Sequence, residues 1–217
     1  ICKKNPKEYW HTINFTVKIM SEFRLYLDLG VFHILDFAGY DHMLFVMAIA
    51  TIYLINDWRK VLILVTAFTI GHSITLALAT LELIKYDLEL IEFLIPLTIS
   101  ITALANLFNR DRRRFEVTQR KGYINYFFAG FFGTIHGLGF SSYLKVLLGA
   151  EQNIIKPLFA FNIGLEIGQM VIMIFFLMLS TLFVDFFGVD RRDWKLIISS
   201  IILGISVTLI LGTDYMF

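Results

Sequence analysis

Long apolar runs separated by short polar turns leave this chain few folds to choose from. Tyr40–Asn56, Val61–Ile84, Ile91–Phe108, Tyr123–Leu148, Pro157–Phe187 and Lys195–Gly212 are the runs. Crossing the hydrocarbon of a bilayer takes about 20 apolar residues of helix. Inside lipid every backbone N–H and C=O must be bonded within the protein, which restricts spans to helices and closed barrels. Alternating apolar and polar strands of about 10 residues, the mark of a membrane barrel, are absent from the sequence. The chain is 57% hydrophobic, against about 45–50% for a soluble domain even when glycine is counted. The expected fold is therefore all-α: a polytopic transmembrane helical bundle of about six spans plus a short N-terminal helix.

That short helix is expected over Ser21–Asp36, with Ser21 as N-cap and Glu22 in the first turn. Glu22, Arg24 and Asp28 make its first half amphipathic, so it lies at the interface or enters at a slant. Ala38-Gly39 allows a break before Tyr40. Residues 1–20 read as an N-terminal extension, disordered or foreign to the domain, and 21–217 as a single transmembrane helical domain. A single cysteine, Cys2, excludes an internal disulfide and a Cys-rich zinc site. The formal net charge of +1 gives no basic excess for nucleic acid, and no nucleic-acid partner is expected.

Charge distribution sets the expected orientation. Arg59 and Lys60, the loop Asn109–Lys121, and Arg191, Arg192 and Lys195 follow alternate spans. The intervening turns carry only Lys85, Lys145 and Lys156. Lys and Arg in short loops stay on the cytoplasmic side. The Asn109–Lys121 loop should thus face the cytoplasm, and the His33 end should face outward.

Several polar side chains stand where apolar ones belong. LGVFHILDFAGYDHMLF (residues 29–45) holds His33, Asp36, Asp41 and His42 at the entrance to an apolar run. His72 stands with Thr69, Ser73 and Thr75 in the second span, and His136 lies between glycines in the fourth. Asn162, Glu166 and Gln169 form one stripe of the fifth. Glu92 opens the third span, where Thr98, Thr102 and Asn106 follow at spacings of four as packing contacts between helices. A charge at mid-membrane costs roughly 2.5–3.5 kcal/mol on insertion scales. Such groups persist when they pair, line a wet cavity or hold a cation. Imidazole and carboxylate without thiolate suit a borderline divalent cation such as nickel, cobalt or zinc.

Five blocks carry a resemblance. GVFHILDFAGYDHMLFVMA, LVTAFTIGHSITLALA, IEFLIPLTISITALANL, FFGTIHGLGFSS and LFAFNIGLEIGQ are similar, in this order, to the blocks of the HupE/UreJ family. These membrane proteins are encoded with hydrogenase and urease accessory genes and regarded as nickel or cobalt permeases. The resemblance covers about residues 24–212. It implies a multi-pass protein of the bacterial inner membrane that passes nickel or cobalt, with His33, Asp41, His42, His72, His136 and Glu166 as metal contacts. The metal ion and the lipid bilayer are then its partners; self-association or contact with metalloenzyme maturation proteins fits the same setting. Other nickel–cobalt permeases place a histidine closer to their Asp-His pair; here seven residues separate His33 from Asp41.

Two functions stay open on the residues themselves. One is a permease, passive or ion-coupled, since no GxxxxGK nucleotide loop is present. The other is an intramembrane zinc-dependent hydrolase acting on a lipid or peptide, with Glu166 or Asp41 as general base.

Overall fold

Helical periodicity is satisfied locally, and the runs fold as helices. The computed structural model describes residues 22–36, 39–108, 119–148 and 154–213. Seven helices carry them: α1 (22–35), α2 (Asp41–Ala50), α3 (Trp58–Thr80), α4 (Leu88–Phe108), α5 (Gln119–Leu148), α6 (Ile155–Thr181) and α7 (Arg191–Leu211). No strand occurs among the described residues. The expected cap Ser21, the 1–20 extension and most of the Asn109–Lys121 loop lie outside them.

Among the described residues, four helical stretches are long and apolar enough to cross a membrane: Ile55–Thr80, Leu88–Phe108, Ile155–Phe186 and Arg191–Leu211. α5 has 30 residues, but its middle is diluted by the Gly, Thr, His and Ser of GTIHGLGFSS. The expected first span, Tyr40–Asn56, is corrected. Its helix stops at Ala50, after 10 residues. The chain turns there so that α3 can return, and later helices bond the backbone groups this exposes. Thr181 Oγ1 accepts from the Ile55 N–H at 3.2 Å, and Arg191 Nη2 donates to the Ile52 carbonyl at 3.0 Å.

Helix ends follow from local chemistry. Asp190 caps α7 by accepting from the Arg192 N–H at 2.8 Å. α3 closes with Leu83 N–H on the Leu78 carbonyl and Glu82 N–H on that of Ala79, which puts Glu82 at φ 58°. Glu82 then bonds Lys145 of α5, and that contact holds its carboxyl below the usual carboxylate range.

Glycine sets how close the helices come. A Cβ at Gly71 would collide with the Gly130 carbonyl, and one at Gly133 with that of Phe68. α3 and α5 therefore run in backbone contact and in the same direction. A second such seam joins α1 to α6, where a Cβ at Gly30 would collide with the Phe161 carbonyl and one at Gly164 with that of Leu27. Small-xxx-small spacing permits this approach between membrane helices.

Helix direction produces the feature that matters most. Leu27 lies by Gly164 and Ile34 by Gly168, so α1 runs parallel to α6. α2 ends by the C-terminal end of α6, where Ser180 Oγ reaches the Tyr53 carbonyl at 3.5 Å. α1 and α2 thus run the same way, one after the other, along successive halves of α6. Their 14 and 10 residues make about 36 Å of helix at 1.5 Å per residue, against a hydrocarbon core of about 30 Å. The break between them falls midway, inside the bundle. Two apolar clusters flank it. One holds Tyr26, Ile34, Leu76, Leu144 and Phe161 on the α1 side. The other holds Phe45, Val65, Phe68, Ile99 and Met173 on the α2 side.

Candidate metal centre

Five of the six expected site residues meet at the break. His33 comes from the last turn of α1, and Asp41 and His42 open α2. His72 comes from α3 and His136 from α5, at one level because Gly137 packs on the His72 carbonyl. His42, His72 and His136 are 3%, 1% and 0% exposed.

His42 is the hub. Its ring centroid lies 4.9 Å from that of His33, 5.6 Å from His72 and 5.2 Å from His136. Ligand atoms of His33, His42 and His72 all lie within 4.8 Å of one another, and so do those of Asp41, His42 and His136. Donors each roughly 2.0–2.2 Å from a shared ion stand about 3–4 Å apart. The two overlapping triples need only a small inward movement to close on a cation.

Asp41 does more than add charge. Its Oδ1 accepts from the His42 backbone N–H at 2.8 Å and from the His42 Nδ1 at 3.0 Å. An ionised carboxylate can only accept. His42 therefore carries its proton on Nδ1 and keeps a lone pair on Nε2, which is buried without a partner. A carboxylate behind an imidazole is the usual support of a metal-binding histidine.

Other nitrogens are unsatisfied in the same place: His33 Nε2, both ring nitrogens of His72 and His136 Nδ1. A buried polar atom without a partner costs about 1–3 kcal/mol. Five such atoms stand on these four rings, counting His42 Nε2, and a bound cation relieves the lone-pair nitrogen of each ring it takes as ligand. The surroundings are apolar: Phe140 lies 3.7 Å from the His33 ring, and Phe68 and Phe45 lie 5.1 and 5.3 Å from that of His136. Neutral imidazoles tolerate such a setting, whereas an unpaired charge does not.

Glu166 joins neither triple. It accepts from Thr66 Oγ1 at 2.7 Å, next to Thr69 Oγ1 bonded to Gln169 Oε1 at 2.6 Å. These pairs form a polar seam between α3 and α6. Thr66 precedes His72 by six residues, about 9 Å along the helix. Glu92 is exposed and also stands apart. Ser73 and Thr75 bond carbonyls of their own helix. The expected packing role of Asn106 is seen in its bond to the Ala48 carbonyl at 2.7 Å. Thr98 is different: its Oγ1 lies 3.1 Å from His136 Nε2. The sequence placed Thr98 on the right face of α4 but gave no sign of that partner.

The family described as HupE / UreJ protein matches residues 10–215. The chain belongs to the HupE/UreJ family. No curated protein and no solved structure matches it. HupE/UreJ proteins are a metal-related membrane accessory family, and the histidine cluster of this HupE/UreJ chain lies among the helices that carry the five motif blocks.

Proposed function

We propose that this HupE/UreJ protein is a permease for a divalent transition metal, nickel or cobalt, in the bacterial inner membrane. His33, Asp41, His42, His72 and His136 form its intramembrane site, and residues 21–217 form one membrane domain. The observation that carries the reading is the pair of ligand triples sharing His42, set at a helix break in mid-bundle, where every histidine keeps a buried ring nitrogen without a partner. Discontinuous helices with binding groups at the break are how transporters build a site near the bilayer midplane. The metal is cargo here. Imidazoles strip part of its hydration shell, and ligands borne on α1, α2, α3 and α5 let release follow from movement of any one helix. The Asn109–Lys121 loop faces the cytoplasm, since the Lys- and Arg-rich turns follow alternate spans of the sequence.

The test is uptake of radioactive nickel and cobalt into proteoliposomes. The wild-type protein should accumulate one of the two metals. H42A and H136A should each abolish uptake while leaving the protein folded, and the double variant should be no worse, because losing either ligand already opens the shared site. No uptake of either metal under any proton or sodium gradient would overturn the permease reading. Turnover of a lipid or peptide that depends on His42 would replace it with the zinc hydrolase.

A further inference from the structure

Thr98 has one hydroxyl proton and two possible uses for it. Its Oγ1 lies 2.7 Å from the Ile95 carbonyl and 3.1 Å from His136 Nε2. A carbonyl only accepts, so the first contact takes the proton. The lone pairs of Oγ1 then face the imidazole, and His136 Nε2 must be the donor. Nδ1 is left as the lone-pair nitrogen, buried and without a partner. The opposite arrangement gives up the Ile95 bond and leaves an N–H on Nδ1 buried with nothing to accept it. Each orphaned buried donor costs about 1–3 kcal/mol, so one tautomer dominates. Thr98 is itself 3% exposed, and no solvent competes for these bonds.

We infer that Thr98 is a positioning residue: it fixes His136 as the Nε2–H tautomer and leaves Nδ1 as the lone-pair nitrogen open to a cation. α4 thereby takes part in the site without supplying a ligand. His42 is set the other way, protonated on Nδ1 by its bond to Asp41. The two histidines thus keep their lone pairs on different ring atoms, His42 on Nε2 and His136 on Nδ1. Removal of such a supporting bond typically weakens metal affinity by about 10–100-fold.

The inference rests on the metal reading for its consequence but not for its first test. Nitrogen-15 NMR of histidine-labelled, metal-free protein reads the His136 tautomer directly, assigned by comparison with H136Q. The wild-type protein should show Nε2 protonated and Nδ1 bare. T98V, which keeps shape and removes the hydroxyl, should lose that preference, and T98S should restore it. Nickel titration in detergent should show about a 10–100-fold weaker affinity for T98V and recovery in T98S. A wild-type His136 protonated on Nδ1 would overturn the inference, as would T98V with the wild-type tautomer or affinity. Wild-type protein that binds no metal would refute the proposed function, while the tautomer measurement would still decide the role of Thr98.

Discussion

Replacing Asp41 tests how the site is held. One oxygen of its carboxylate takes both bonds from His42, at 2.8 and 3.0 Å. Bonds to a charged acceptor are worth about 1.5–3 kcal/mol each and neutral ones about 0.5–1.5. Asp41→Asn can keep both contacts through its amide oxygen but loses the charge; in the bond to the His42 ring, the one that bears on metal binding, this is a deficit of about 1–1.5 kcal/mol. That is roughly a five- to tenfold loss of affinity at 1.4 kcal/mol per decade. Asp41→Ala frees the ring of His42 altogether, and the loss should reach about 100-fold, the upper end for groups that orient a ligand. Calorimetric titration of purified protein with nickel, against a competing chelator, measures both. The ordering is the decisive result. A support role predicts D41N between wild type and D41A. Equal losses in the two would make Asp41 a direct ligand whose charge the metal requires. An unchanged affinity in D41A would refute the account of His42 as the hub. In a cycle with H42A, D41A should cost almost nothing further, since its partner is already gone.

Two more outcomes follow from the packing and the polar seam. Gly133→Ala should lower thermal stability and weaken metal affinity together, because a Cβ there collides with the Phe68 carbonyl and forces α3 from α5, moving His72 from His136; overpacking costs about 1–3 kcal/mol, and an unaltered unfolding temperature would contradict the seam. Glu166→Gln should leave equilibrium nickel affinity unchanged, since Glu166 bonds Thr66 rather than the histidines; a marked loss by the same calorimetry would return Glu166 to the ligand set.

The sequence by itself determined the membrane class and most of the helices. Both depend on what is local: apolar side chains along a run, and backbone bonds that each helix closes within itself. It also singled out His33, Asp41, His42, His72 and His136, because a polar group in an apolar run is costly wherever the fold puts it. Only the tertiary structure decided how those groups are arranged and which partners they meet. Tyr40–Asn56 reads as one span, yet it ends at Ala50, because Thr181 and Arg191, more than a hundred residues away, bond the backbone of the turn. Glu166 looks like a ligand by cost alone, but Thr66 on the facing helix satisfies it. Thr98 looks like packing and instead meets His136. In each case the deciding partner sits on another helix. Which helices touch, and at what level, is fixed by glycine seams such as Gly71–Gly130 and Gly30–Phe161. A run of sequence shows that a helix can come close there; the other helix has to be in place before it shows to what.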